Sequence, residues 1–211
     1  CFMLWIIALA TVVAAYGLGS LPFAVIVSRL MGLADPRTFG SNNPGATNVL
    51  RSGNKLAAAL TLIGDLLKGS AAVWLAQWVS HSFELNTLVV AASAIAAFLG
   101  HVFPFTLGFK GGKGVATAIG ILIAIQPALA LACALTWLLV AYATRYSSLS
   151  AIIAAILAPA YYFLGAGSLW PMDKNLALCV GVLSLLLLWR HQANISRLLL
   201  GTESRIGQKS K

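Results

Sequence analysis

The chain has 211 residues, of which 60% are hydrophobic and only 9% charged, and its mean hydropathy is +0.90. A soluble domain carries about 25% charged residues and could not bury this much apolar surface in one core, so the composition excludes an ordinary soluble protein and defines a polytopic membrane protein. The net charge of +9 does not call for nucleic acid, because the basic residues are spread over short loops where anionic headgroups and topology account for them.

Residues 2–28 supply the first apolar segment, without the basic flank and small-residue cleavage site of a removed signal. Further segments fall at 56–79, 87–107, 114–125, 128–144, 148–164 and 174–189. Seven helices are therefore expected in an all-α fold. Pro104 ends or kinks the third, and the fourth is too short to cross easily. A five-span arrangement with re-entrant short segments is the alternative. Of the 14 lysines and arginines, all but Lys68 and Lys174 fall on one set of loops. The positive-inside rule puts that set in the cytoplasm, with the N-terminus outside and the C-terminus inside. The chain reads as one membrane domain, 1–211, whose residues 191–211 form a loose basic cytoplasmic tail. Cys1, Cys133 and Cys179 fit neither a disulfide framework nor a zinc pattern, and no metal is expected.

Three polar clusters fall on the basic side. The first, Gly40-Ser41-Asn42-Asn43-Pro44-Gly45-Ala46-Thr47-Asn48-Val49-Leu50-Arg51, offers uncharged donors and acceptors and ends in a guanidinium suited to phosphate. An ordinary loop with an N-cap at Thr47 or Asn48 is the plainer account. The second, Gly108-Phe109-Lys110-Gly111-Gly112-Lys113-Gly114, is a basic loop poor in side chains that opens a helix. Its amides can approach an anion closely, and the following helix N-terminus favours one. It fails the G-x-x-x-x-G-K-[ST] nucleotide pattern at both ends, with Leu107 and Gly114 at the outer positions. The third, Arg190-His191-Gln192-Ala193-Asn194-Ile195, places His191 and Asn194 on one face of a continuing helix. Ser147 and Ser148 follow Arg145 in a tight loop, where helix capping would explain them. Asp65 and Lys68 are spaced to pair within a span, and His101 reads as a structural donor beside the loop.

Together these clusters resemble the signatures of the bacterial membrane glycerol-3-phosphate acyltransferases that use acyl phosphate, the PlsY family. The resemblance rests on G-S-N-N-P-G-A-T-N-V-L-R at 40–51, G-H-V-F-P-F-T-L-G-F-K-G-G-K-G-V-A-T at 100–117 and R-H-Q-A-N-I at 190–195, and extends over nearly the whole chain. It implies transfer of a fatty acyl group from acyl phosphate to glycerol-3-phosphate. The products are lysophosphatidic acid and inorganic phosphate, made at the cytoplasmic face of the inner membrane without a cofactor. It also implies coupling to enzymes that make acyl phosphate and that acylate lysophosphatidic acid. It assigns catalysis to His191, Asn194, Lys110 and Ser148. Substrate and phosphate binding are assigned to Ser41, Asn43, Thr47, Asn48, Arg51, Gly111, Gly112, Lys113, Gly114, Thr117 and Ser147.

The reaction suits the residue inventory. Two phosphates, each carrying about −1.5 to −2 charges, would meet Lys110, Lys113, Arg51 and the loop amides. Acyl phosphate is already activated, so the substrate hydroxyl can attack its carbonyl without a protein nucleophile. His191 and the substrate's own phosphate are the candidate bases, and a donor role for His191 is the preferred reading. A transporter of a phosphorylated metabolite is the competing class, although it predicts polar residues on both sides and a repeated half. A membrane scaffold leaves the glycine-lysine loop without a purpose.

Overall fold

The computed structural model describes residues 2–207, and the lysines at 209 and 211 lie outside them. The architecture is helical: α1 (Phe2–Gly19), α2 (Phe23–Leu30), α3 (Ala46–Leu50), α4 (Lys55–Ser82), α5 (Thr87–Val102), α6 (Val115–Ile125), α7 (Pro127–Thr144), α8 (Ser147–Gly165), α9 (Lys174–Arg190) and α10 (Gln192–Leu199). Among the described residues, five helical segments are long and apolar enough to cross a membrane, and a sixth forms if α9 and α10 are taken as one bent span. The outward faces are apolar: Phe2, Trp5 and Leu9 of α1, and Leu138, Leu139 and Tyr142 of α7, are exposed, as expected for surfaces that meet lipid.

Close backbone approach holds the bundle where small residues allow it. A Cβ at Gly120 would collide with the backbone of Leu66, and one at Gly69 with the carbonyl of Thr117, so α4 and α6 cross in direct backbone contact. Ser70 Oγ reinforces that crossing by donating to the Gly120 carbonyl at 2.8 Å. Gly19 and Gly100 play the same part between α1 and α5.

The first expected segment, 2–28, is broken. Helix α1 stops at Gly19, and α2 starts after Pro22, which cannot donate to a continuing helix. Carbonyls freed by the break are taken by side chains from elsewhere: Thr106 Oγ1 donates to Ser20 O at 2.7 Å and Lys68 Nζ to Leu21 O at 2.8 Å. Helix α6 has 11 residues, about 16 Å at 1.5 Å per residue. Its start packs at Gly69, fourteen residues along α4 from Lys55.

Over residues 191–207 the expectation of a loose tail after Arg190 is not met, and 208–211 lie outside the described residues. Helix α9 ends at Arg190 and bends by 56° into α10. Residues beyond α10 return to the polar end of the bundle, where Ile206 N donates to Arg145 O at 2.7 Å and Arg51 Nη2 to Ser204 Oγ at 2.6 Å. The bend also means that His191 and Asn194 do not share the face of one continuous helix.

Candidate functional site

Four loops meet at the polar end of the bundle. Asn48 organises the first: its Oδ1 accepts from Ser41 N at 2.9 Å, while its Nδ2 donates to the carbonyls of Pro36 at 2.6 Å and Phe39 at 3.1 Å. Its hydrogen bonds are thus directed to the loop, and it acts as a clip that presents an exposed Ser41 and a half-buried Asn43. The N-cap of α3 is Gly45, so neither Thr47 nor Asn48 caps it. Thr47 Oγ1 instead lies 3.3 Å from Ser147 Oγ. Likewise α8 is preceded by Tyr146 as its N-cap without a side-chain bond, so Ser147 and Ser148 are not caps.

The glycine loop is built differently from the expectation. Gly111 N and Gly112 N donate to the carbonyls of Val102 and His101 at 3.0 and 3.1 Å, so these two amides fasten the loop to the end of α5. Gly111 and Gly112 are needed because a Cβ at either would collide with His101 or its neighbours, not because their φ is positive. Positive φ falls at Gly108, Phe109 and Gly114, the last packed against Phe98. The amides left for an anion are those of the first turn of α6, beside Lys113. Thr117 is fully buried and its Oγ1 lies 3.1 Å from His101 Nδ1, so it supports the loop from beneath.

A carboxylate that the sequence reading passed over ties the remaining residues together. Glu203 accepts from Ser148 Oγ at 2.7 Å, Asn194 Nδ2 at 2.6 Å and Arg197 Nε at 2.7 Å. Burial works to raise its carboxyl, but those three hydrogen bonds outweigh it and hold the group below the ordinary value. Arg190 donates to Gly112 O through Nε and Nη2 at 3.4 and 3.2 Å, which joins the glycine loop to α9. Burial pushes Lys113 down to about 8; Glu203 opposes the shift, while Arg197, Arg190 and Arg51 add to it. Lys113, Arg51, Arg190 and Arg197 therefore share one electrostatic neighbourhood.

Two acceptors face this cationic group. Asn194 is buried and its Oδ1 has no hydrogen-bond partner among the described residues. His191 lies just past the apolar helix α9, and its Nδ1 is 2.8 Å from Leu187 O. A carbonyl only accepts, so Nδ1 carries the proton and Nε2 is left with its lone pair. Burial pushes the imidazole down to about 4, with the Leu187 bond opposing and Lys113 adding to the shift, so the ring is neutral near pH 7. Lys110 is exposed and lies on a separate groove of about 510 Å³, lined by Arg37, Arg190, Phe103, Leu107 and Phe109 among others. Arg190 stands between that groove and the Lys113 cluster.

This helical membrane bundle carries cationic and acceptor groups together at one end, an arrangement that suits a small anionic substrate held beside lipid. The family model for glycerol-3-phosphate acyltransferase matches residues 9–201. The glycerol-3-phosphate acyltransferase of Bordetella petrii is 59% identical over 202 residues, 96% of this chain and 94% of that protein, and that of Paraburkholderia phymatum is 58% identical over 96% and 94%. Among solved structures, the integral membrane acyltransferase PlsY (YgiH) in its glycerol 3-phosphate form is 40% identical and superposes with a TM-score of 0.86 over 95% of this chain and 96% of that one. Its lysophosphatidic acid form is 38% identical with a TM-score of 0.84, covering 95% of each chain. The chain belongs to the glycerol-3-phosphate acyltransferase family, as its three motifs foretold.

Proposed function

We propose that this membrane acyltransferase moves a fatty acyl group from acyl phosphate to glycerol-3-phosphate, releasing lysophosphatidic acid and inorganic phosphate. The observation that carries the site is the pairing of two hydroxyl acceptors, His191 Nε2 and the unpartnered Asn194 Oδ1, with the Lys113 and Arg51 cations. An unsatisfied buried acceptor costs about 1–3 kcal/mol, which favours a ligand that brings a donor to it. Glycerol-3-phosphate has two free hydroxyls and one dianionic phosphate, so it matches two acceptors flanked by cations.

In this reading Lys113, Arg51 and the first-turn amides of α6 hold the phosphate. The attacking hydroxyl gives its proton to His191 Nε2, and its oxygen closes on the acyl carbonyl; the second hydroxyl donates to Asn194. The acyl–oxygen bond to phosphate then breaks, and the leaving phosphate, held by Lys110 and Arg190, takes the proton from His191, which returns to its neutral form. The apolar and cationic walls of the groove suit an acyl phosphate, with Phe103, Leu107 and Phe109 toward the chain and Lys110 toward its phosphate. A neutral imidazole with its Nδ1 already committed is an acceptor, so the geometry favours the base over the donor role preferred from sequence. Ser148 acts through Glu203 to orient Asn194.

Seven passes, with α6 and its loop forming the short one, agree with the meeting of residues 40–51, 108–114, 145–148 and 190–206 at one end of the bundle and the Asn175–Thr87 bond at the other. The basic end is the cytoplasmic one in this reading, and the enzyme sits in the inner membrane.

The pair of acceptors is tested by steady-state kinetics of purified His191→Ala and Asn194→Ala. Loss of a general base costs about 10²–10⁴-fold in turnover, so His191→Ala should lose kcat on that scale. Asn194→Ala should mainly raise KM for glycerol-3-phosphate. Wild-type kcat and KM in both folded variants would remove them from the site.

A further inference from the structure

Beneath the glycine loop lies a cluster of ionisable groups that the reaction does not use. Lys68 Nζ is 2.8 Å from Asp65 Oδ1, and His101 Nδ1 is 3.5 Å from the same oxygen. All three side chains are buried inside apolar helices. A pair would satisfy the charges, as Asp65 and Lys68 do by themselves one helical turn apart. The third member faces the loop. His101 shares its Nδ1 side with Thr117 Oγ1, and its Nε2 edge fills the space where a Cβ at Gly112 would stand. Its own carbonyl takes the Gly112 N–H, while on the opposite side Arg190 donates to Gly112 O. Lys68 carries the chain of contacts on to Leu21 O in the break between α1 and α2.

Gly112 is thus gripped between His101 and Arg190, whose immediate neighbours across the grip are Lys113 and His191. We propose that Asp65, Lys68 and His101 are positioning residues that set the height of the glycine loop, so that Lys113 and His191 address one glycerol-3-phosphate together. This rests on the reading of Lys113 as a phosphate contact. Asp65 and Lys68 fix the orientation of the imidazole, the imidazole edge fixes Gly112, and Gly112 fixes the cation that follows it. A cluster serving only to hold the bundle would change the amount of folded enzyme and leave the substrate affinity of each folded molecule alone.

The test compares purified full-length His101→Ala, His101→Gln and the double variant Asp65→Asn/Lys68→Met with wild type and with Lys113→Ala, following KM for glycerol-3-phosphate, kcat and thermal midpoint. Gln reaches as far as the imidazole Nε2 edge, and the double variant leaves neither partner as an unpaired buried ion. His101→Ala and the double variant should raise KM for glycerol-3-phosphate by about tenfold or more, with kcat at saturation within about threefold of wild type, since a displaced cation weakens ground-state binding first. His101→Gln should return KM to within about threefold of wild type. An unchanged KM in the double variant, with kcat falling only in step with the folded fraction, would overturn the proposal even if His101→Ala does not fold. A raised KM in Lys113→Ala beside an unchanged KM in the double variant would overturn positioning alone. An unchanged KM in Lys113→Ala would overturn the phosphate reading and the proposal with it.

Discussion

The protonation of two side chains decides what the site can do. His191 near 4 and Lys113 near 8 leave a neutral imidazole and a mostly charged ammonium at pH 7. In the proposed site Lys113 holds phosphate only when protonated, so kcat/KM for glycerol-3-phosphate should fall as pH rises through about 8, the range set by its lowered free-enzyme value. In Lys113→Arg that alkaline limb should move out of range, because a guanidinium stays charged above about pH 12. His191 contributes no acidic limb at the ordinary imidazole value of about 6.5. A limb near 6 belongs to the second ionisation of the substrate phosphate, at about 6, and it should persist in His191→Ala. Its disappearance there would place a titrating, partly charged His191 in the free enzyme. Lys113, Arg51, His191 and Asn194 stand out in the sequence because each is polar within a short motif of fixed spacing, and the structure brings them to one end of the bundle. Glu203 does not stand out, because a single carboxylate in a polar tail carries no periodicity or motif to mark it. Thr117 and Asn48 also sit in polar motifs, and what the motifs do not reveal is that their hydrogen bonds are turned inward to His101 and to the 36–41 loop.

At the scale of elements, apolar length read the helices well and their ends poorly. Hydropathy cannot see the break at Ser20–Pro22, because the residues on both sides remain apolar and the freed carbonyls are satisfied by Thr106 and Lys68 from distant segments. Nor does it reveal that α9 turns at His191. Two elements allow direct tests. Glu203→Ala should free Ser148, Asn194 and Arg197 and cost about 1–3 kcal/mol of stability, the usual range for stranded buried polar groups, read as a lower thermal midpoint. The folded carboxyl is held below its ordinary value, so this contribution is present above the ordinary carboxyl range and is lost as pH falls through the folded value. The gap between Glu203→Ala and wild type should therefore close in acid, and a constant gap would contradict the assignment. Gly120→Leu should part α4 from α6, where no Cβ fits against Leu66. Overpacking of about 1–3 kcal/mol should appear as faster thermal inactivation, while Gly181→Leu, where nothing lies near an added Cβ, should match wild type.

Across the whole molecule, chemistry is gathered at one end and apolar surface covers the flanks. That asymmetry was readable from the loops, since the basic residues other than Lys68 and Lys174 cluster on one side of the hydropathy pattern. The convergence of the tail on that end was not, because it depends on long-range bonds such as Arg51–Ser204. With the basic end in the cytoplasm, a cysteine placed at Glu84 should react with an impermeant thiol reagent added to intact cells, and one at Gln192 should react only after permeabilisation. The reverse pattern would turn the site away from its substrates. The proposed reaction requires the acyl donor and the acceptor to meet at this site without a protein nucleophile. The most direct measurement supplies the purified protein in detergent with a long-chain acyl phosphate and glycerol-3-phosphate, and follows inorganic phosphate and lysophosphatidic acid together. Equal release of the two products, absent with acyl-CoA as donor and absent without glycerol-3-phosphate, is the predicted result. Acyl transfer from acyl-CoA at a comparable rate, or phosphate released without an acceptor, would contradict it.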